Sequence, residues 1–351
     1  MEISFKHPFV PRVRKPSSSI YKTLRLNRAE YGHTFKSKKK KESDYYGYYP
    51  DISQLLSQLK RYLKINKDNF LVGLGAESII KDVLFYFSKG KKRIGLLTPT
   101  YFMYNIYSKL FGYKVFNLKI NPETAIKLNI SDLKKFLIKN SINLLVLVNP
   151  SHPFEKNWSK IEIENLLIFC KKNKIILVLD EVYQGLGSKT SKDLIKKYDN
   201  LIIIGSLSKS IGLPALRIGF MISSKKMIKL MESFRLAIEL PFHTIKIGSY
   251  FLKQKEKVMK IKKNIIYARK FAHREFQRRD IPAFGKFGNS VTFKVKDKFI
   301  AKKLGDFMRK NKIIINYNYT KPFENFLNIT TTNTDNLKFF FSKLDKFKVS
   351  K

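Results

Sequence analysis

From about residue 50 onward, apolar positions recur in two alternating rhythms. Ile52, Leu55, Leu56, Leu59 and Leu63 share one side of a 3.6-residue period and predict a helix over Asp51–Leu63. Uninterrupted apolar runs too short for helices predict strands at Phe70–Leu74, Ile94–Leu97, Leu144–Val148, Ile175–Leu179 and Leu201–Ile204. Helices are predicted over Glu77–Phe87, Tyr101–Leu110 and Ile161–Lys172, and the last strand leads into a polar turn over Gly205–Ser210. Strands that are apolar throughout are covered on both faces, and their separation by helices is that of βαβ units. The predicted fold class is α/β, with a mostly parallel central sheet and flanking helices.

The two ends of the chain differ from this middle. Pro11, Pro16, the Ser17–Ser19 run and the Lys38–Lys41 block predict an irregular arm over residues 1–45. Beyond about residue 225 the pattern becomes helical, with a long basic helix over Pro241–Gln277. Strands at Ser290–Val295 and Ile313–Asn316 and a terminal helix over Asp335–Leu344 complete the prediction. At 351 residues the chain exceeds the size at which one core usually stops growing. The expected division is therefore an N-terminal arm (1–45), a large α/β domain (46–235) and a smaller α+β domain (236–351).

Composition narrows the class. Hydrophobic residues at 44% and aromatics at 14% exclude a disordered basic protein. No apolar stretch approaches the roughly 18 residues that span a membrane, and the basic N-terminal residues lack the apolar core of a secretory signal. A single cysteine, Cys170, excludes an internal disulfide framework and a cysteine-built zinc site. A cytoplasmic location is expected. With 70 Lys+Arg against 27 Asp+Glu the net charge is +43, a field that attracts polyanions nonspecifically. The lysines are spread along the whole chain without a nucleic-acid-binding motif, so a solvated basic surface is the simpler reading, with no specific nucleic-acid or membrane partner.

In open α/β sheets functional groups gather just beyond the carboxyl ends of strands. Three predicted strand ends carry unusual residues: Asp180-Glu181-Val182-Tyr183, Ser206-Leu207-Ser208-Lys209 and Gly73-Leu74-Gly75-Ala76-Glu77. A lysine at a buried strand end loses hydration, which favours its neutral, nucleophilic amine. Gly75, Ala76 and Glu77 open a helix whose free amides and positive dipole end suit a phosphate. Taken singly, Asp180 could be a helix cap, Tyr101 is more often core packing, and a Gly-x-Gly is a common turn.

Together these segments resemble the pyridoxal phosphate (PLP) enzymes of the class I/II aminotransferase family, fold type I, in the branch holding histidinol-phosphate aminotransferase and threonine-phosphate decarboxylase. The resemblance runs from about Leu24 to Thr332, and its most specific piece is the stretch from Ser206 to Phe220, including Lys209 and Arg217. It implies that Lys209 is the Schiff-base lysine and moves the proton at the substrate's α-carbon. It also implies that Asp180 pairs with the cofactor's ring nitrogen, Tyr183 bonds its phenolic oxygen and Tyr101 stacks on its ring. Gly75, Ala76, Glu77, Ser206, Ser208 and Arg217 would hold the phosphate. Tyr49 matches a tyrosine that reaches the phosphate of a neighbouring subunit, which implies a homodimer with shared active sites.

Two departures bear on the substrate. His152, in Asn149-Pro150-Ser151-His152, stands where the family has an asparagine that donates to the phenolic oxygen; an imidazole N–H can make the same bond, and a satisfied loop histidine is an equal reading. Asn328, in Leu327-Asn328-Ile329-Thr330, stands where the family has the arginine that clamps the substrate's α-carboxylate, and Asn316 falls near a second family arginine. An asparagine supplies neither the charge nor the five-donor fork. Three explanations follow: another arginine, Arg28 on the arm, replaces the clamp; the substrate has no α-carboxylate; or an unpaired carboxylate is left free to depart. The leading expectation is an aminotransferase acting on a small, atypical substrate, with a phosphorylated one among the candidates. A decarboxylase of a phosphorylated amino acid is the runner-up. A non-catalytic cofactor-binding homologue and a polyanion-binding protein are the other classes.

Overall fold

A computed structural model of the chain describes Leu24–Arg25 and residues 50–120, 128–152, 156–236 and 239–347. A two-residue strand, β1 (Leu24–Arg25), comes first. Helix α1 (Ser53–Leu63) buries Leu55, Leu59 and Leu63, the apolar side seen in the sequence. Strand β2 (Phe70–Leu74) runs directly into α2 (Gly75–Phe87), and β3 (Arg93–Thr98), α3 (Met103–Leu110) and β4 (Lys114–Lys119) follow. Next come α4 (Ile130–Lys139), β5 (Leu144–Val148), α5 (Lys160–Lys172), β6 (Ile176–Asp180) and β7 (Leu201–Ser206). A one-turn helix, α6 (Leu207–Ser210), precedes β8 (Ile218–Ser223) and α7 (Lys225–Glu232). The remainder is α8 (Phe242–Lys253), α9 (Lys255–Gln277), β9 (Ala283–Phe284), β10 (Ser290–Lys294), α10 (Lys298–Lys310), β11 (Ile313–Ile314), β12 (Phe326–Thr330) and α11 (Thr334–Leu344).

Seven strands form one sheet in the order β2-β8-β7-β6-β5-β3-β4. All neighbours are parallel except β8, which is antiparallel to both β2 and β7. Along β5, Leu145 and Leu147 join one core cluster while Leu144, Val146 and Val148 join the other, so alternate side chains feed opposite faces. The first face is covered by α1, α4, α5 and α8, and the second by α2, α3 and α7. This two-sided burial is why the central strands read as unbroken apolar runs. A third cluster fills the space between the three-stranded sheet β12-β10-β9 and helices α9, α10 and α11. No helix among the described residues is long and apolar enough to cross a membrane.

The α/β class and the mostly parallel sheet agree with the expectation, and several local readings are corrected. The single helix expected over Pro241–Gln277 is two, because Gln254 leaves helical geometry (φ −89°, ψ 66°) between α8 and α9. The polar turn expected at Gly205–Ser210 is the end of β7 followed by α6, with the Ser206 side chain accepting from the Ser208 amide. Strand β11 covers only Ile313–Ile314. Strand β4 escaped sequence reading because, at the sheet edge, its Lys–Val–Phe–Asn–Leu–Lys pattern is only half covered. β8 escaped because Gly219 interrupts its apolar run.

Candidate active site

The sheet's directions collect the singled-out residues at one edge. β3, β5, β6 and β7 run parallel, so their carboxyl ends lie together. β2, antiparallel to β8, runs with them, and the antiparallel β8 begins where they finish: Leu74 pairs with Ile218, and Ser206 with Gly219. Thr98–Tyr101, Asn149–His152, Asp180–Tyr183, Ser206–Lys209, Arg217 and Gly75 therefore all border the same rim.

Asp180 ends β6 in a buried position. Tyr104 on α3 donates its hydroxyl to Asp180 Oδ2 at 2.8 Å, and the Val182 amide donates to Oδ1 at 3.1 Å. Both partners are neutral, and burial pushes the carboxyl up to about 6 against the pull of those two bonds. The neighbouring Glu181 is also buried and raised to about 7 by the same cause, although Thr190 Oγ1 (2.6 Å) and the Ser191 amide (2.8 Å) donate to it.

A cradle for an anion lies along the rim. Gly75 has φ +75°, a region that favours glycine, and its amide donates to the Arg217 carbonyl at 2.6 Å. Helix α2 has no side-chain cap, leaving the amides that follow Gly75 available. The guanidinium of Arg217 lies over the same point: a Cβ on Gly75 would meet Nη2 at 2.7 Å. Gly219 makes the approach possible, because a Cβ there would lie 2.2 Å from the Gly75 carbonyl carbon and 2.4 Å from the Ala76 nitrogen. Ser208 Oγ is buried and has no hydrogen-bond partner among the described residues. Ser206 Oγ caps α6 and donates to the Ile218 carbonyl at 3.3 Å. The Glu77 side chain accepts from Tyr101 (3.2 Å) and Tyr107 (3.1 Å), so Tyr101, 40% exposed, is tied to the start of α2.

Lys209 sits on α6, partly buried. Across from it is His152, whose loop is closed by Asn149: the Asn149 side chain donates to the Trp158 carbonyl (3.1 Å) and accepts from the Trp158 amide (2.8 Å). Burial first, and the charge of Lys209 second, push His152 down to about 4. Its ring leans on Tyr183, centroids 5.4 Å apart. Ser290 on β10 reaches His152 Nδ1 at 3.2 Å.

Asn328 is placed differently from these. Strand β12 pairs with β10 so that Asn328 faces Thr292; its Nδ2 donates to Thr292 Oγ1 at 2.8 Å, the side chain is fully buried, and Oδ1 has no partner among the described residues. Asn316 bridges Asn328 through backbone bonds of 3.0 and 2.9 Å. Tyr49 and Arg28 lie outside the described residues. Sequence reading missed Tyr104, Glu181 and Ser290. Tyr104 stands one helical turn after Tyr101, a signal that was available; Ser290 carries none, because only the folded chain brings β10 beside the loop that follows β5.

A model of the family described as aminotransferase class I and II matches residues 23–344. The chain belongs to that family. Histidinol-phosphate aminotransferase of Clostridium novyi (strain NT) is 27% identical over 231 residues, 66% of this chain and 64% of that protein, so the match spans just under two thirds of the relative. Among solved structures, histidinol-phosphate aminotransferase from Sinorhizobium meliloti in complex with pyridoxal-5'-phosphate superposes with a TM-score of 0.80 at 17% identity, covering 92% of this chain and 90% of that one. L-threonine-O-3-phosphate decarboxylase from Porphyromonas gingivalis gives 0.69 at 17% identity, covering 92% and 99%. The chain thus has the fold of the class I/II aminotransferases and sits in a family of PLP-dependent transferases. Its own residues fit PLP: Asp180 is a buried carboxylate whose partners are neutral donors, suited to a protonated ring nitrogen, and the uncapped α2, Ser208 and Arg217 suit a phosphate.

Proposed function

We propose that this protein is a PLP-dependent aminotransferase that moves an amino group between an amino donor and a small substrate atypical of the family. The observation that carries this reading is Asp180, a buried carboxylate whose donors among the described residues are neutral, at the rim that also holds Lys209 and the anion cradle. PLP, when bound, supplies an aldehyde for amines and a cationic ring that draws electrons from the substrate's α-carbon. Lys209 would hold it covalently and would carry the proton at the substrate's α-carbon. Asp180 would keep a proton on the ring nitrogen by charge, and Tyr104 holds Asp180 in place. Tyr183 and His152 would serve its phenolic oxygen, and Tyr101 its ring. Ser206, Ser208, Arg217 and the amides after Gly75 would hold the phosphate. The arm, large domain and small domain, with a homodimer in the cytoplasm whose Tyr49 completes the neighbouring site, belong to the same reading.

Asn328 supports a substrate outside the usual amino acids, because its amide is committed to Thr292 and brings no charge. The same observation favours a second reading, decarboxylation, since a carboxylate without a cationic partner leaves more easily. The deciding experiment records the visible spectrum of the purified protein with PLP before and after a panel of amino donors, beside Lys209→Ala, while trapping carbon dioxide. Conversion to the pyridoxamine form by one donor supports transamination. Carbon dioxide release without that conversion supports the decarboxylase. No cofactor band in the wild-type protein overturns both.

A further inference from the structure

Ser290 belongs to β10 in the three-stranded sheet, whereas His152 follows β5 of the seven-stranded sheet. Their contact, Ser290 Oγ to His152 Nδ1 at 3.2 Å, crosses from one sheet to the other. Ser290 is buried, and among the described residues Nδ1 is the one hydrogen-bond partner of its hydroxyl. If Nδ1 carried the ring's proton, the hydroxyl proton would have no acceptor there, a cost of about 1–3 kcal/mol in a buried setting. The hydroxyl therefore donates, and the single proton of the neutral ring falls on Nε2. That nitrogen has no hydrogen-bond partner among the described residues, in a ring flanked by Tyr183 and within reach of the Lys209 charge.

The placement is braced from a second side. Buried Arg269 of α9 donates through Nη1 to the Leu186 carbonyl at 2.7 Å and to the Gly288 carbonyl. It thereby pins the segment before Ser290 to the loop after Tyr183. Gly288, at φ +73°, lies directly against the Tyr183 ring.

We propose that Ser290 is a positioning residue: it fixes His152 as the Nε2–H tautomer and aims that N–H into the space beside Lys209 and Tyr183. Its consequence for turnover rests on the PLP reading above; the tautomer itself does not.

The test uses the full chain with 15N-labelled histidine and no cofactor, the His152 signals being assigned by their loss in His152→Asn. Long-range proton–nitrogen correlation is expected to show the proton on Nε2 in the wild type and in Ser290→Thr, and a mixture or Nδ1–H in Ser290→Ala. A wild-type proton on Nδ1, or a Ser290→Ala spectrum identical to wild type, overturns the proposal; if Ser290→Ala does not fold, the wild type and Ser290→Thr decide. With PLP bound, Ser290→Ala is expected to lower kcat about five- to tenfold at little changed KM, as loss of one neutral hydrogen bond does, with Ser290→Thr restoring it. An unchanged kcat removes the link to catalysis. Failure of the wild type to take up PLP sinks the aminotransferase reading and leaves the tautomer result standing.

Discussion

Tyr104 donates its hydroxyl to Asp180 at 2.8 Å inside the core, and so joins the third helix to the carboxyl end of the central strand β6. Tyr104 is itself completely buried, so neither partner has water as an alternative. Its ring meets Tyr101 edge-on with centroids 6.4 Å apart, and Tyr101 in turn donates to Glu77 at the start of α2. One line of side chains thus runs from the expected ring-nitrogen partner to the expected phosphate end. Tyr104→Phe is expected to cost about 1–2 kcal/mol, measured by urea unfolding. It should also raise the Asp180 carboxyl further and weaken PLP retention, read by absorbance titration. Wild-type stability together with wild-type retention would deny the bond a role.

The raised carboxyls have a defined sign in a stability profile. Burial raises Glu181 from 4.5 to about 7 and Asp180 from 3.8 to about 6. Within those windows the folded protein holds protons that the unfolded chain has released. The contribution of these two carboxyls therefore falls as pH rises through them. His152, pushed down to about 4, and His273, also lowered, pull the other way below the ordinary histidine value of 6.5. Urea midpoints measured from pH 6.5 to pH 8, where the histidines no longer oppose it, should show the Glu181 decline, and Glu181→Gln should flatten it. Loading with PLP should remove the Asp180 share, because a cationic partner then favours the charged carboxylate. A slope that Glu181→Gln leaves unchanged would count against the assignment.

Arg217→Ala removes the guanidinium over Gly75. The expected loss of PLP affinity is about 10- to 100-fold, the worth of a charge-assisted bond to phosphate. Ser208→Ala, which deletes a buried hydroxyl without a partner among the described residues, should weaken binding less and leave the cofactor-free protein at least as stable. Equilibrium dialysis of both variants against PLP provides the check.

Gly219→Ala places a methyl group 2.2 Å from the Gly75 carbonyl carbon. Strand β8 or the start of α2 must then shift. We expect a loss of about 1–3 kcal/mol together with PLP binding. Thermal melting and dialysis would show whether the two losses occur together, and a variant that binds normally would mean that the helix start can move freely.

Restoring a cation at the position of Asn328 is expected to fail. The side chain is fully buried between β10 and the bridge to Asn316, so Asn328→Arg both overfills the site and buries a charge. A lower melting temperature with no gain for donors bearing an α-carboxylate is the expected result. A stable variant that gains such donors would show that the position opens toward the substrate.

Much of this protein was readable in its amino-acid order. The apolar runs at Leu144–Val148 and Leu201–Ile204 could bury only on two faces, which predicts a parallel sheet whatever the tertiary detail. Asp180 follows such a run immediately and Lys209 lies on the short helix just after β7, so their place beyond strand ends was set by local sequence. What required the folded chain were the relationships between distant segments. The reversed direction of β8 brings Arg217 over Gly75; the packing of α3 turns Tyr104 toward Asp180; and the three-stranded sheet delivers Ser290 to His152. Asn328 shows the difference most clearly. Its identity ruled out an arginine clamp from the sequence alone, but its commitment to Thr292 depends on the register of β12 against β10, which long-range pairing alone decides.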